Sequence, residues 1–159
     1  MKIIDHTILE ELSTKAKRSE RKRMNFDLHY GPHDVLQRLL NAMEPGTYVR
    51  PHKHDTPDKR EVFIMLRGRM AVVIFDGNGR IENHAVLDNT EGKYLVEIPP
   101  KKWHTLICLQ QNTVMYEIKD GPYDVATDKQ FANWAPQENT AEAQEYLAEI
   151  IKLLKLGDF

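Results

Sequence analysis

Between Met24 and Lys119 the chain is a succession of short runs rich in Val, Ile, Phe, Tyr and Leu, cut by turn residues and interrupted by no helical periodicity. The runs fall at 24–30, 35–43, 47–54, 61–67, 69–76, 80–87, 93–98, 103–109 and 113–119. Glu44-Pro45-Gly46 supplies a turn, and Asp76-Gly77-Asn78-Gly79 a hairpin. Strands this short, with no crossover helices between them, pair antiparallel. So many of them hide their apolar faces only by closing into a barrel or stacking as a sandwich. The predicted fold class is all-β.

Helices are predicted only outside this block. Asp5 can cap an N-terminal helix in which Ile8, Leu9, Leu12 and Ala16 recur at helical spacing. The basic run that follows (Lys15, Lys17, Arg18, Arg21, Lys22, Arg23) reads as a solvated helix end whose cations suit the C-terminal dipole. After Gly121-Pro122, an irregular segment carrying Tyr123, Phe131 and Trp134 is expected to drape over the barrel with its aromatics as anchors; the alternative is that they line a ligand site. In a final helix, Asn139 and Glu142 form a capping box, Leu147, Ile150, Ile151 and Leu154 an apolar face, and Gly157 the stop. The expected division is an N-terminal helix in 1–23, a barrel in 24–121, and a covering segment with the C-terminal helix in 122–159, all within one structural domain.

A net charge of -2 and a pI near 6.4 give no reason to expect nucleic acid or an anionic membrane as partner. Cys108 is the only cysteine, so no intrachain disulfide can form. Neither a secretory apolar core nor a membrane-length apolar run is present. A cytoplasmic location is the expectation.

The chemistry-bearing residues lie on the predicted strands. His52 and His54 stand two apart, so both imidazoles leave one face. Glu61 opens the next strand, across the loop from Asp55 to Arg60, and His104 starts a much later strand that barrel closure brings alongside. Three imidazoles and a carboxylate form a nitrogen-rich site for one divalent first-row metal ion such as zinc, nickel, manganese or iron. Taken alone, the His52/His54 pair is also readable as part of a solvent-exposed loop, flanked by Pro51, Lys53, Asp55 and Pro57.

The run Gly46, His52, His54, Glu61, Gly68 resembles the first motif of the cupins, and Gly92, Pro99, His104 resembles their second. The resemblance implies a single cupin barrel, a double-stranded β-helix or jelly roll, with a helix at each end. Three departures stand out. Six residues separate His54 from Glu61, more than the motif has, which leaves open that Glu61 stands off the metal as a base. Lys101 occupies a glycine position, which predicts a turn without positive φ. Cys108 replaces an asparagine. The stretches Val35–Gly46, Ile98-Pro99, Trp103-His104-Thr105, Gly121–Asp124 and Trp134-Ala135-Pro136 are similar to the WbuC family, small cupin metalloproteins associated with bacterial surface-polysaccharide gene clusters.

Strand parity extends the inward face from His52 to Arg50 and Tyr48. Arg50 would then hold an anionic ligand group; the alternative is a structural carboxylate partner at the barrel mouth. Phe63, Met65, Leu106 and Cys108 are expected to form an apolar floor, and His29 and Gln37 to reach the pocket. The candidates for moving a proton are Glu61, His29 and Tyr48; those for the ligand pocket are Arg50 and Gln37.

The expected partner is a small anionic or polyhydroxylated, sugar-derived ligand. A homodimer is also expected, from the exposed barrel edge. Three function classes follow. One is a metal-dependent isomerase or epimerase acting on a sugar phosphate or nucleotide sugar, a setting the WbuC resemblance implies. The others are a non-catalytic sugar-binding or regulatory module and a non-haem metal oxygenase.

Overall fold

The computed structural model describes residues 1–157. Ten strands follow one another: β1 (Arg23–Asp27), β2 (Leu36–Met43), β3 (His52–Lys53), β4 (Glu61–Arg67), β5 (Arg69–Phe75), β6 (Ile81–Asp88), β7 (Leu95–Ile98), β8 (Trp103–Cys108), β9 (Thr113–Asp120) and β10 (Gln130–Phe131). They form two five-stranded antiparallel sheets, ordered β1-β2-β9-β4-β7 and β10-β3-β8-β5-β6. Helix α1 (His6–Arg18) packs on the first sheet, and α2 (Ala141–Leu153) on the second. This is the cupin sandwich with a helix at either end. No helix among the described residues is long and apolar enough to cross a membrane.

Each layer follows from the alternation of side chains along the strands. In β5, Met70 and Val72 point between the sheets, while Ala71, Val73 and Phe75 meet Ala143, Leu147 and Ile150 of α2. A strand buried on both faces has no room for polar residues, hence the unbroken apolar run Met70–Phe75. In β2 and β9, Leu40, Ala42 and Val114 face outward onto Leu12 and Ala16 of α1. Asp5 caps that helix, its Oδ1 accepting from the Ile8 amide at 3.2 Å.

The inward positions divide the barrel along its length. Met43, Met65, Met70, Met115, Leu106 and Cys108 fill one end as a dry core. At the other end the same strands present Gln37, Asn41, Glu61, His104, Glu117 and Lys119, all buried. The expected apolar floor is therefore present, and Cys108 is part of it. Its thiol donates to the Met43 and Gln110 carbonyls, and burial pushes it up to about 11, so it serves packing rather than chemistry.

Four expectations need correction. The run 47–54 pairs only at His52–Lys53, because Pro51 has no N–H for a ladder bond. Lys101 does adopt positive φ, at 65°, and its amide donates to the His54 carbonyl at 3.0 Å. The cap of α2 is Thr140, whose hydroxyl accepts from the Ala143 amide, not Asn139. Arg23 is no solvated cation: its guanidinium binds both Glu138 oxygens at 2.7 Å and the Tyr48 carbonyl at 2.7 Å, tying the barrel to the segment before α2. Of the predicted C-terminal unit 122–159, residues 158–159 lie outside the described residues.

Candidate metal centre

His52 on β3 pairs directly with His104 on β8, so antiparallel register alone brings two residues distant in sequence side by side. His54 follows β3 and Glu61 opens β4, across the intersheet gap. One donor atom from each of the four side chains lies within 4.8 Å of all the others. All four residues are buried, none more than 3% exposed. Glu61 Oε1 is 3.1 Å from His54 Nε2, and Oε2 is 2.8 Å from His104 Nε2. The long loop before Glu61 therefore does not hold it away from the histidines. Its extra residues fold into a tight turn, with Asp55 bridging Asp58, that buries Lys59.

The far side of each ring fixes its orientation. His52 Nδ1 meets the Arg50 carbonyl at 2.9 Å, His104 Nδ1 the Lys102 carbonyl at 2.9 Å, and His54 Nδ1 the Asp128 carbonyl. A carbonyl only accepts, so each Nδ1 carries a proton, which leaves each Nε2 available to an ion. Three imidazoles and a carboxylate then face one another. His54 Nε2, His104 Nε2 and Glu61 Oε2 have no hydrogen-bond partner among the described residues. Groups this close and this buried call for a cation between them, either a proton shared with Glu61 or a metal ion. Nδ1 held by a carbonyl, with Nε2 turned to the ion, is how metal-binding histidines are ordinarily oriented. The donor set thus fits one divalent ion, with imidazole and carboxylate ligands suited to zinc, nickel, manganese or iron.

Charge in the surroundings is dense. Burial lowers His52 well below its ordinary value, and the charge of Lys129 adds to that effect. Burial raises the Glu61 carboxyl, but His104 and His54 outweigh it and hold it well below the usual range. Glu117 accepts from the Asn41 amide and is pushed up, by burial first and then by Glu61. Asp128 is clamped by two ammonium groups, Lys59 at 2.8 Å and Lys119 at 2.7 Å.

A pocket of about 840 Å³ opens onto this end of the barrel, within the usual size of small-ligand sites. His52 and Glu61 form part of its wall, with Gln37, Asn41, Glu117, Lys119, Tyr123, Lys129 and Phe131. A depression of about 510 Å³ near Tyr94 and Leu95 contains none of the four clustered residues.

The other sequence-predicted residues divide. His29 lines the pocket, its Nδ1 held against the Arg38 backbone. Gln37 also lines it, but its amide is spent on the carbonyls of Gly31, Pro32 and Asp34, so it shapes a loop instead of offering a free donor. Tyr48 and Arg50 are not in the wall. Val49 faces inward and so does His52, which shifts the alternation by one residue at Pro51. Tyr48 consequently points toward α2, stacking edge-on with Tyr146 and donating to the Pro136 carbonyl at 3.0 Å. Arg50 donates to the Ala132 carbonyl at 2.7 Å and lies over the Phe131 ring.

Of the covering aromatics, Trp134 anchors against Phe75 and Trp103, whereas Tyr123 and Phe131 line the pocket. Sequence reasoning missed Lys59, Lys119, Asp128 and Lys129. Parity with Glu117 could have found Lys119, but the irregular segment around Asp128 carries no periodic signal.

No curated protein matches the chain. Among solved structures, the capsular polysaccharide assembling protein CapF from Staphylococcus aureus is similar at 22% identity with a TM-score of 0.55, over 71% of this chain and 32% of that one. CapF with the inhibitor 3-isopropenyl-tropolone gives the same identity and TM-score over 67% and 30%. The chain thus spans about a third of CapF's length. A cupin superfamily protein from Desulfitobacterium hafniense is similar at 16% identity with a TM-score of 0.51, over 69% of this chain and 86% of that one. These likenesses show the fold. The family whose model matches is described as a domain of unknown function, DUF6016, and it covers residues 4–87. With more than half of its length matched, the chain belongs to this family.

Proposed function

We propose that this protein binds one divalent metal ion through His52, His54, Glu61 and His104 and acts there on a small, sugar-derived, anionic or polyhydroxylated ligand, as an isomerase- or epimerase-type enzyme. One observation carries the reading. Each of the three rings is held at Nδ1 by a backbone carbonyl, and the Nε2 atoms of His54 and His104 meet the Glu61 carboxylate in a buried site. When bound, such an ion supplies Lewis-acid polarisation of a carbonyl or of vicinal hydroxyls.

The chain's own groups supply the rest. Tyr123 and Phe131 offer apolar and aromatic surface on the pocket wall, on which the faces of a sugar ring can pack. His29, on the same wall, and Glu117, whose carboxyl burial keeps easier to protonate than an ordinary one, are the groups placed to carry a proton. Glu61 belongs with the ligands, because both of its oxygens are turned to imidazole nitrogens. The sugar component rests on the resemblance to the WbuC family. CapF, described as assembling capsular polysaccharide, shares the fold and gives the same setting.

The test is elemental analysis of protein purified without added metal. It is followed by melting curves with zinc, nickel, manganese and iron, then by proton exchange into sugar phosphates and nucleotide sugars in deuterated water. About one ion per chain, a raised Tm and exchange at a sugar carbon are expected. Metal-free protein whose Tm is unmoved by all four ions refutes the site. Tight sugar binding without exchange would leave a binding module in place of an enzyme.

A further inference from the structure

With Arg50 turned away, an anion in the pocket needs another cation on the wall. Arg21 and Arg23 are engaged by Glu138, at 3.4 and 2.7 Å. Lys119 is engaged by Asp128 at 2.7 Å, and His29 Nε2 stands 4.0 Å from Asp27. Lys129 alone among these basic groups of the wall has neither an ion pair nor a side-chain hydrogen bond among the described residues. It is also the one held in place on both sides. The preceding residue, Asp128, is clamped by Lys59 and Lys119, and the following pair, Gln130–Phe131, forms β10 against Lys53 and His52. Lys129 is exposed and forms part of the pocket wall.

We propose that Lys129 is the anion-binding residue of this pocket, receiving the carboxylate or phosphate of a ligand whose carbonyl or hydroxyl oxygens lie toward the His52, His54, Glu61 and His104 cluster. The inference deepens the metal reading and in part rests on it. The buried charges around the cluster are three carboxylates (Glu61, Glu117, Asp128) and two lysines (Lys59, Lys119), and exposed Lys129 on the pocket wall brings the sum to zero. A divalent ion held by neutral imidazoles then leaves a surplus of positive charge. In a site of low dielectric that surplus favours an anion over an uncharged sugar. A lysine ammonium acts as a point charge, so it suits phosphate or carboxylate without demanding a planar, bidentate group.

The experiment titrates glucose 6-phosphate and glucose calorimetrically into the full chain, zinc-loaded and metal-free, as wild type, Lys129→Gln and Lys129→Arg. Melting curves and zinc content are recorded for each. The zinc-loaded wild type should prefer glucose 6-phosphate to glucose. Lys129→Gln should weaken glucose 6-phosphate about ten- to hundredfold, the loss expected for one hydrogen bond to a charged group. It should leave glucose, zinc content and Tm unchanged, because no partner of Lys129 is orphaned. Lys129→Arg should retain most of the affinity. A wild type that does not bind glucose 6-phosphate, or binds it no better than Lys129→Gln in either metal state, overturns the assignment. Failure to take up zinc counts against the metal reading, while the comparison of wild type with Lys129→Gln in metal-free protein still decides the role of Lys129.

Discussion

Asp128 joins the covering segment to the barrel at two points, and replacing it by asparagine tests both. Its carboxylate sits between the ammonium groups of Lys59 and Lys119, and the three side chains are 3%, 2% and 6% exposed. Removing one partner of a buried ion pair costs about 3–5 kcal/mol, because the other charge stays buried and unpaired. Two lysines share this carboxylate, so their losses do not add, and the amide oxygen of asparagine still accepts from one of them. We therefore expect Asp128→Asn to lose about 3–5 kcal/mol in urea unfolding. At about 2–4 °C per kcal/mol for a chain of this size, Tm falls by about 6–20 °C.

Acid gives an independent check. Burial raises the Asp128 carboxyl, but Lys119 and Lys59 outweigh it and hold it below the usual range. A folded pKa below the unfolded one means that the stabilisation is present above about pH 4 and is lost as pH falls through the lower, folded value. Wild type and Asp128→Asn should converge in stability on acidification through that window. The triple replacement Lys59→Met, Asp128→Leu, Lys119→Met should recover most of the loss, since apolar groups of similar volume commonly replace buried ion sets without cost. A loss below about 1 kcal/mol for Asp128→Asn, or a pH-independent difference, would refute the reasoning.

Three further outcomes are expected. Glu61→Gln should weaken zinc binding by at least tenfold in competition with a chelator, because a neutral amide replaces a charged oxygen donor; unchanged affinity removes Glu61 from the ligands. Tyr48→Phe should cost about 1 kcal/mol, for the hydrogen bond to the Pro136 carbonyl, and leave ligand binding untouched; a loss of turnover with unchanged stability would return Tyr48 to the site. Lys101→Gly should raise stability by about 1 kcal/mol, since its φ of 65° strains a residue bearing a Cβ, and a lower Tm would show that the Lys101 side chain matters more than its backbone.

Much of this protein was legible without its structure because regular strands carry information at a period of two. The spacing of His52 and His54, Glu61 at the head of β4 and His104 at the head of β8 all pointed to one cluster, and the fold brings those four donors together. The unbroken apolar run in β5 likewise fits a strand covered on both faces, and α2 does cover its outer side.

That logic fails where the ladder does. One proline, Pro51, interrupts pairing and slips the alternation by a residue, which sends Tyr48 to α2 and Arg50 to Phe131. Asp128 and Lys129 lie in a segment with no period to read. The position of Asp128 is set by contacts 69 and 74 residues away in the chain, to Lys59 and His54, and Lys129 follows it. The donors of the candidate metal site were local facts of strand sequence. The charges that surround it, and the one lysine left unpaired in the pocket wall, arise only when distant segments close on one another.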